Sequence, residues 1–349
     1  MKIVSLFRFL FHLSYVKRQF KRCKNHLAPG RYILLPCMRA FSMDEREVLD
    51  FAEKYFSEKN HSRIKLAIVS VLNRVGAFTN KKREGKYQAL YIANNYDKVR
   101  EIKLFSFCEK KILTICTSSA SFEKQMDQFK RLSATYNMPS AMLSPDCENS
   151  YEIDMIEFLP RPNALSALRD IVNAHKRTSA TGEAGSASFS RILDAAKNNI
   201  EYLSIVRAVA EKLSPSSVDT VFPFRIQHGD LSQDNLFYGS CKGEEGYWWI
   251  DWEHENLRLF FYDFYFYIVN SAYCTHDPEP LHVYLRGECD DMLTEWFALN
   301  SVQYCDNRRA EYLWVFFLSF LNERIHTIDA AQKYFSFLET ELQDFQVGK

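Results

Sequence analysis

The sequence has no excess of charge of either sign. It carries 44 Lys and Arg residues against 44 Asp and Glu residues, so the formal net charge of the 349 residues is zero. Proteins that bind nucleic acid usually present a basic patch or a basic overall composition. The balanced charge therefore gives no reason to expect a nucleic-acid partner.

The sequence also lacks paired cysteines. Its nine Cys residues are an odd number, none forms a Cys-x-x-Cys pair, and the nine His residues do not have the spacing of a zinc site. Reduced, mostly buried thiols are typical of proteins that remain in the cytoplasm. We therefore expect a cytoplasmic protein, not a secreted one held by disulfides.

No apolar run reaches the roughly 20 residues that a helix needs to cross a bilayer. Residues 1–22 combine a short apolar run, interrupted by Arg8, with four basic residues near the end of the segment. Two interpretations are open. The segment is either a basic amphipathic helix, which would bring the protein to the inner face of a membrane, or a terminal helix docked on the protein body.

The composition is otherwise that of an ordinary globular protein, with 47% hydrophobic and 25% charged residues. A chain of this length can form two lobes with sizeable cores. Short β-rich runs at 87–93, 100–107 and 112–117 precede a helical pattern at 121–136. The front half is therefore predicted to be rich in β-strands.

The back half has a different pattern. Residues 176–190 are small and polar and are predicted to form a loop or linker. A strand-loop-strand unit follows at 224–251, and helical patterns with large aromatic faces dominate from Asp263 onward. The back half is therefore predicted to be mainly helical, with one β-hairpin.

The strand-loop-strand unit contains a dense set of polar residues. Residues 228–235 read His-Gly-Asp-Leu-Ser-Gln-Asp-Asn, and β-runs at 236–238 and 247–250 follow, separated by a predicted turn at 239–246. If the two β-runs pair as a hairpin, Asn235 before the first and Asp251 after the second lie at the same open end.

Asp230 lies on the loop that enters this end, so three polar groups converge. Phosphoryl transfer needs such a set, because a metal ion must bridge the phosphates and a carboxylate must orient the attacking hydroxyl and accept its proton. Asn235 and Asp251 offer the oxygen ligands that Mg²⁺ prefers. Asp230 is the candidate base.

These residues also carry a family resemblance. His-x-Asp-x-x-x-x-Asn followed by an Asp at a strand end is the catalytic-loop pattern of the protein-kinase-like fold. The wording of 228–235 with Ile-Asp-Trp-Glu at 250–253 resembles the aminoglycoside phosphotransferase and choline kinase branch. The resemblance implies an α+β, bilobal fold with a β-rich N-lobe and a mainly helical C-lobe.

The resemblance covers roughly residues 87–340 and suggests how the chain is divided. An N-terminal extension would occupy 1–60, an N-lobe that clamps the nucleotide would occupy 61–160, and the C-lobe with the catalytic loop and acceptor site would occupy 161–349. ATP and magnesium are the cofactors that such a protein uses.

Further roles follow from the resemblance. His228 would hold the catalytic loop by hydrogen bonds, and Asp263, at the start of a helix, would brace the same loop. Protein kinases place a Lys two residues after the base, where this chain has Ser232. That difference favours a small-molecule acceptor over a protein.

The nucleotide clamp departs from the family pattern. A strand Lys paired with a helix Glu is expected to hold the phosphates, but Thr114 stands in the Lys position. Lys103 on the preceding β-run is the candidate replacement, and Glu123 is its candidate partner. Glu157 and Phe158 resemble the hinge, whose backbone would meet the adenine.

No glycine-rich phosphate loop is evident, and Lys110 and Lys111 lie in a turn where solvated roles are expected. Two functions therefore stay open. The first is a small-molecule kinase acting on a sugar, an aminoglycoside or an amino alcohol, including a surface-glycan sugar. The second is a pseudokinase that binds nucleotide or serves as a scaffold. The acidic residues Asp277, Glu279, Asp290 and Asp291 either attract a cationic acceptor or are solvated.

Overall fold

A computed structural model describes residues 3–35, 39–56, 63–82, 84–95, 98–145, 147–179, 186–197, 200–214 and 220–347. The predicted loop at 176–190 lies partly outside these residues. The chain divides into two compact units. The first comprises Met1–Ser133 with Pro139–Glu157, and the second comprises Ala134–Met138 with Phe158–Lys349.

The first unit is built on an eight-stranded antiparallel sheet with the strand order β3-β1-β2-β4-β5-β6-β8-β7. The strands are β1 (Gly30–Leu34), β2 (Ala40–Met43), β3 (Thr79–Asn80), β4 (Ala89–Asn95), β5 (Lys98–Ser106), β6 (Lys111–Cys116), β7 (Ala141–Leu143) and β8 (Ser150–Asp154). The helices are α1 (Ile3–Arg22), α2 (Arg46–Phe56), α3 (Arg63–Arg74) and α4 (Ser119–Leu132), with a 3-10 turn at Cys23–Asn25.

The segment predicted as a separate extension, residues 1–60, contributes two strands to this sheet. β2 pairs with β4 in the register Ala40↔Tyr91, and β1 pairs with β2. The reason is apolar burial, because Phe41 is fully buried and its ring lies 4.9 Å from that of Phe78. The structure therefore places the start of the first unit well before residue 61.

Helix α1 packs into the core of the first unit. Val16 and Phe20 are 1% and 2% exposed, and the ring of Phe20 lies 4.9 Å from that of Phe41. The docked interpretation of this segment thus accounts for its C-terminal half. Among the described helices, none is long and apolar enough to span a bilayer. A membrane contact through residues 1–22, like the cytoplasmic location, stays a prediction.

The second unit is mainly helical. Its helices are α5 (Ala164–Ser179), α6 (Phe189–Lys197), α7 (Leu203–Ala210), α8 (Tyr262–Cys274), α9 (Glu279–Leu285), α10 (Asp290–Leu299), α11 (Arg309–Arg324) and α12 (Ile328–Val347). The strands are β9 (Glu157–Phe158), β10 (Ser186–Ser188), β11 (Val221–Gln227), β12 (Leu236–Cys241), β13 (Glu244–Trp249) and β14 (Asn256–Leu259). Three 3-10 turns lie at Ile200–Tyr202, Trp252–His254 and Asp306–Arg308.

Two small sheets in this unit position the site. One has the order β10-β11-β14 and the other has the order β13-β12-β9. The predicted β-hairpin is confirmed, with β12 antiparallel to β13 over six residue pairs. Its turn is tighter than predicted, because Lys242 and Gly243 adopt φ values of 53° and 86° and connect the strands directly. Two consecutive positive φ values are typical of a two-residue hairpin turn.

Candidate active site

The hairpin brings Asn235 and Asp251 together. Leu236, the first residue of β12, lies opposite Trp249, the last residue of β13. Beyond this pair the Ile250 N–H donates to the Asn235 carbonyl oxygen over 3.0 Å. Asn235 and Asp251 therefore leave the same end of the hairpin, as the sequence predicted from the pairing of the two runs.

The backbone of Asp251 is in the left-handed region, with φ 62° and ψ 58°. This conformation is costly for residues other than glycine and persists where the surrounding structure enforces it. Here the enforcing elements are the last ladder bond of the hairpin and Trp252, which is 4% exposed and opens the following 3-10 turn. The Asp251 residue itself is exposed.

Asp230 is tied to Asn235 through the loop backbone. The Asn235 Nδ2 donates to the Asp230 carbonyl oxygen over 2.8 Å, and the Ser232 N–H donates to the same oxygen over 2.8 Å. Because the amide nitrogen of Asn235 is used inside the loop, its amide oxygen is left for another partner. Asp230 and Asn235 are therefore joined by a hydrogen bond, and Asp251 directly follows Ile250, which is bonded to Asn235.

Asp263 holds the start of this loop. Its Oδ2 accepts from the His228 N–H over 2.6 Å, and its Oδ1 accepts from the Gly229 N–H over 2.9 Å. Burial alone would raise the pKa of Asp263, but the nearby His175 and His228 and the Gly229 N–H outweigh it, so the pKa is lowered. A buried carboxylate with these donors remains ionised and fixes the loop to α8.

His228 has both ring nitrogens engaged. Its Nε2 donates to the Ile250 carbonyl oxygen over 2.7 Å, and its Nδ1 accepts from the Asp230 N–H over 3.3 Å. Burial lowers the pKa of this imidazole, which favours the neutral ring that such a pattern requires. The ring therefore links the loop to the end of β13 and has no free nitrogen for proton transfer.

Gly229 is required by its surroundings. Its φ is 80°, and a Cβ atom there would lie 2.6 Å from the His254 carbonyl oxygen and would also meet the Arg258 guanidinium. Arg258 is 6% exposed, forms an ion pair with Glu323, and donates to the His254 carbonyl oxygen over 2.9 Å. The loop and β14 are thus packed too closely for any side chain at this position.

Asp230 also has a partner that the sequence analysis missed. The Arg324 Nη2 donates to the Asp230 Oδ1 in an ion pair, across 94 positions of the chain. Both side chains line a cavity of about 350 Å³ within the second unit, together with residues of α8, α11 and α12. The candidate base therefore faces a space large enough for a small molecule.

The oxygens of Asn235 and Asp251 fit a magnesium ion. Mg²⁺ is usually held by one or two carboxylates or similar oxygen donors together with substrate phosphates. The Asn235 amide oxygen and the exposed Asp251 carboxylate provide a donor set of this kind. Over the described ranges, no group of three or more His, Cys, Asp or Glu side chains could hold a metal ion alone.

The candidate nucleotide residues lie in the first unit. Lys103 on β5 is directly opposite Thr114 on β6, so the two side chains share one face of the sheet. The Thr114 hydroxyl is buried and has no hydrogen-bond partner in the described part of the chain. Lys103 can therefore present its ammonium group on the face where the family pattern expects a lysine.

The partner of Lys103 is not the predicted one. Its Nζ lies 2.9 Å from the Glu101 Oε1, two residues earlier on the same strand. Glu101 is linked to α4 by Gln125, whose Nε2 donates to the Glu101 Oε2 over 2.8 Å. Glu123 is exposed, because the sheet-facing side of α4 is formed by residues such as Gln125. Glu123 therefore does not pair with Lys103, contrary to the prediction from the sequence.

The predicted hinge coincides with the boundary between the units, which falls between Glu157 and Phe158. Glu157 is exposed, and its carboxylate lies 3.5 Å from the Lys110 Nζ. The Phe158 ring packs on Phe237 at 4.4 Å, and the Leu159 N–H donates to the Tyr238 carbonyl oxygen over 3.0 Å. The adenine contact predicted for the backbone of 157 and 158 stays a prediction.

Several residues that shape the site carry no sequence signal of their own. Arg161 donates to the Gln233 carbonyl oxygen over 2.9 Å and to the Tyr267 hydroxyl over 3.1 Å, which holds the loop from a second side. Gln227 accepts from the Asp263 N–H over 3.0 Å.

Comparisons with solved structures find several small-molecule kinases that resemble the chain at low identity. An aminoglycoside phosphotransferase in complex with ADP and hygromycin B matches over 73% of this chain and 92% of its own, with 11% identity and a TM-score of 0.44. A choline kinase from Streptococcus pneumoniae matches over 81% and 100%, with 11% identity and a TM-score of 0.41. An ethanolamine kinase from Plasmodium vivax matches over 84% and 92%, with 14% identity and a TM-score of 0.40.

No protein-family model matches the chain, and neither does any curated protein sequence. At these identities and TM-scores, the activity has to be inferred from the chain's own residues. The predicted α+β class is confirmed by the elements themselves, with an antiparallel sheet in the first unit and mainly helices in the second.

Proposed function

We propose that the chain is an ATP- and magnesium-dependent phosphotransferase that transfers the γ-phosphate of ATP to a hydroxyl group of a small molecule. The observation that carries the proposal is the placement of Asn235 and Asp251 at the same end of the hairpin, with Asp230 hydrogen-bonded to Asn235 on the loop that enters it. A polar turn with no function would need neither the left-handed Asp251 nor the buried carboxylate of Asp263 beneath it.

Each residue has a distinct task in this reaction. The Asp230 carboxylate orients the acceptor hydroxyl and accepts its proton as the oxygen attacks the γ-phosphorus. The bond between that phosphorus and the bridging oxygen breaks, and ADP leaves with the electron pair. Asn235 and Asp251 would hold magnesium, which neutralises charge on the phosphates when it is bound. Asp263 and His228 position the loop and do not touch the substrate.

In the first unit, Lys103 would pair with a nucleotide phosphate in place of the lysine that is absent at Thr114. Its side chain is 32% exposed, and it retains an acidic partner, Glu101, as phosphate-binding lysines commonly do. Ser232 supports a small acceptor. Its hydroxyl accepts from the Asp234 N–H over 3.3 Å and so serves the loop itself.

The decisive experiment replaces Asp230 with Asn. We expect ATP-dependent phosphorylation of any accepted hydroxyl compound to fall by about 10²–10⁴-fold, which is the usual contribution of a general base. The matched control is Asp234→Asn, an exposed carboxylate of the same loop, which should retain activity. Equal activity in both variants would remove Asp230 from the mechanism.

A second candidate function is a pseudokinase that binds nucleotide without turnover. The observation in its favour is the ion pair between Asp230 and Arg324, which engages the candidate base. Thermal stability measured with saturating ATP and magnesium separates the possibilities, since a ligand that binds the native state raises its apparent stability. Stabilisation without ADP formation for any hydroxyl compound would favour the pseudokinase.

A further inference from the structure

The groups that line the cavity beside Asp230 distinguish between classes of acceptor. We infer that it binds an acceptor bearing an anionic group, a carboxylate or a phosphate, and that Arg324 recognises this group. The inference rests on the proposed function, because it names the substrate class of that same site. It differs from the amino alcohols and aminoglycosides that the sequence left open, which are cations.

The lining of the cavity contains few acidic groups. Asp230 is the one carboxylate among the described residues that line it, and this carboxylate is already paired with Arg324. The other polar lining groups are Asn270, His326 and Tyr334, and the remainder is apolar. A cationic acceptor would meet no unpaired carboxylate among these lining residues and would depend on the rings of Phe266, Phe320 and Tyr334. An anionic acceptor finds a guanidinium there.

Arg324 has donors to spare. Within the described residues it makes one side-chain hydrogen bond, from Nη2 to the Asp230 Oδ1. A guanidinium carries five N–H donors in a planar fork, which suits bidentate binding of a carboxylate or phosphate. Its side chain is 23% exposed, so an anion in the cavity can reach it without a large rearrangement.

The position of Arg324 is fixed by its neighbours in sequence. The preceding residue, Glu323, is held by the buried Arg258, which also contacts the catalytic loop at His254. The following residue, Ile325, accepts a hydrogen bond at its carbonyl oxygen from the buried Tyr202 hydroxyl over 3.0 Å. The backbone of Arg324 is therefore anchored at the end of α11. Its side chain is already held by Asp230, so little side-chain entropy remains to be lost on binding.

Acidic residues elsewhere in the second unit are engaged locally. Asp277 accepts from the Gln233 Nε2 over 2.8 Å, Glu279 pairs with Arg286 at 2.8 Å, and Asp290 forms an ion pair with Arg309. None of these carboxylates lines the cavity. Asp277, Glu279 and Asp290 therefore do not provide a cation site in this cavity.

The first test measures binding without turnover. Inorganic phosphate is the probe, and the thermal shift of each full-length variant is taken relative to its own value without phosphate. We expect the unmodified protein to be stabilised, Arg324→Gln to lose about tenfold or more in phosphate affinity, and Arg324→Lys to retain part of it. Lys103→Gln is the control for phosphate bound in the first unit. No stabilisation, or equal stabilisation with Arg324→Gln, would overturn the inference.

The second test measures turnover with matched acceptors. ADP formation is followed with glucose against glucuronate and with glycerol against glycerate, and with choline and an aminoglycoside as the cationic arm. We expect the anionic member of a pair to have a higher kcat/KM by about 10–100-fold, and Arg324→Gln to remove that preference by raising KM. Preference for a neutral or cationic acceptor would refute the inference.

The two tests fail separately from the proposed function. If ATP with magnesium neither stabilises the protein nor yields ADP, the proposed function fails, and the phosphate measurement on Arg324→Gln still decides whether the cavity is an anion site. If ADP forms with choline alone, the proposed function stands and the anionic acceptor class is wrong.

Discussion

The two units differ in how closely they follow the motif that the sequence displays. In the second unit, the candidate base and the two candidate metal ligands lie within 22 positions, and a hairpin and four loop residues connect them. In the first unit, Thr114 stands where the family pattern expects a lysine, and Lys103 lies on the same face of the neighbouring strand. Residues whose roles depend on a loop and a hairpin must keep their sequence positions. A single charged residue on a sheet can instead be supplied by an adjacent strand.

This difference has a physical basis. A metal ion requires oxygen donors at fixed distances, so the proposed ligands Asn235 and Asp251 would have to keep their positions for the ion to bind. A lysine has a long, flexible stem and acts as a point charge, so its Cα can shift by one strand spacing of about 4.8 Å. The units therefore predict different responses to substitution.

The largest effect is expected at Asp251. Asp251→Asn removes a charge that would hold magnesium, and we expect kcat/KM to fall by about 10³-fold, with a higher magnesium concentration needed for half-maximal activity. The comparison variant is Asp230→Asn, which should lose turnover but keep the stabilisation by ATP and magnesium. If Asp251→Asn leaves the magnesium requirement unchanged, Asp251 is not a metal ligand.

The next effect is expected at Asp263 and is mainly one of stability. Asp263→Asn replaces the carboxylate that accepts from the His228 and Gly229 N–H groups with a neutral amide, which has one oxygen acceptor. We therefore expect the free energy of unfolding to fall by about 3 kcal/mol. Because the folded-state pKa of Asp263 is lowered, its stabilising contribution is complete above the unfolded pKa of about 3.9 and is lost as pH falls through the folded value. Urea unfolding as a function of pH measures both.

The pH dependence of the unfolding free energy distinguishes a role of the ionised Asp263 carboxylate from a role in packing alone. Asp263→Asn should be less sensitive to acid than the unmodified protein, because the group that titrates between the two pKa values has been removed. An equal loss of stability toward low pH in both proteins would show that Asp263 is not ionised in the folded state.

The sequence predicted the second unit's site better than any other part. Spacing and strand pattern placed Asn235 and Asp251 together because hairpin pairing is local and its register follows from the runs. Arg324 could not be found in this way. It lies 94 positions from Asp230, and nothing in the pattern of α11 distinguishes it from other basic residues at helix ends.

The first unit was harder to predict because its contacts join strands and helices that are distant in sequence. Lys103 was a candidate, but its partner depended on which side of α4 faces the sheet, and the predicted partner Glu123 lies on the exposed side. The predicted boundary at residue 60 does not coincide with a boundary of the first unit, for a similar reason. β1 and β2 are short, and their place in the sheet depends on pairing with β4, whose sequence lies about 50 positions away.

A smaller effect is expected when the phosphate lysine is moved. Lys103→Thr should raise the KM for ATP and lower kcat/KM by about 10–100-fold, the value of one charged hydrogen bond. Adding Thr114→Lys restores a lysine directly across the strand pair and should recover part of the loss. Lys110→Ala is the control from the exposed turn. Recovery by the double variant would support relocation of the lysine, whereas unchanged activity of Lys103→Thr would leave the first unit without a phosphate lysine.

The smallest effect is expected at Glu123 and tests which carboxylate orients Lys103. Glu123→Gln should change kcat/KM for ATP by less than about twofold, because exposed charges contribute little. Glu101→Gln should lower it by about fivefold, since the Glu101 carboxylate is 12% exposed and is joined to both Lys103 and Gln125. In the Lys103→Thr background the Glu101 effect should largely disappear, because residues that act as one unit are not additive. If instead Glu123→Gln has the larger effect, α4 presents a different face to the nucleotide, and the first unit follows the family pattern more closely than its sheet register indicates.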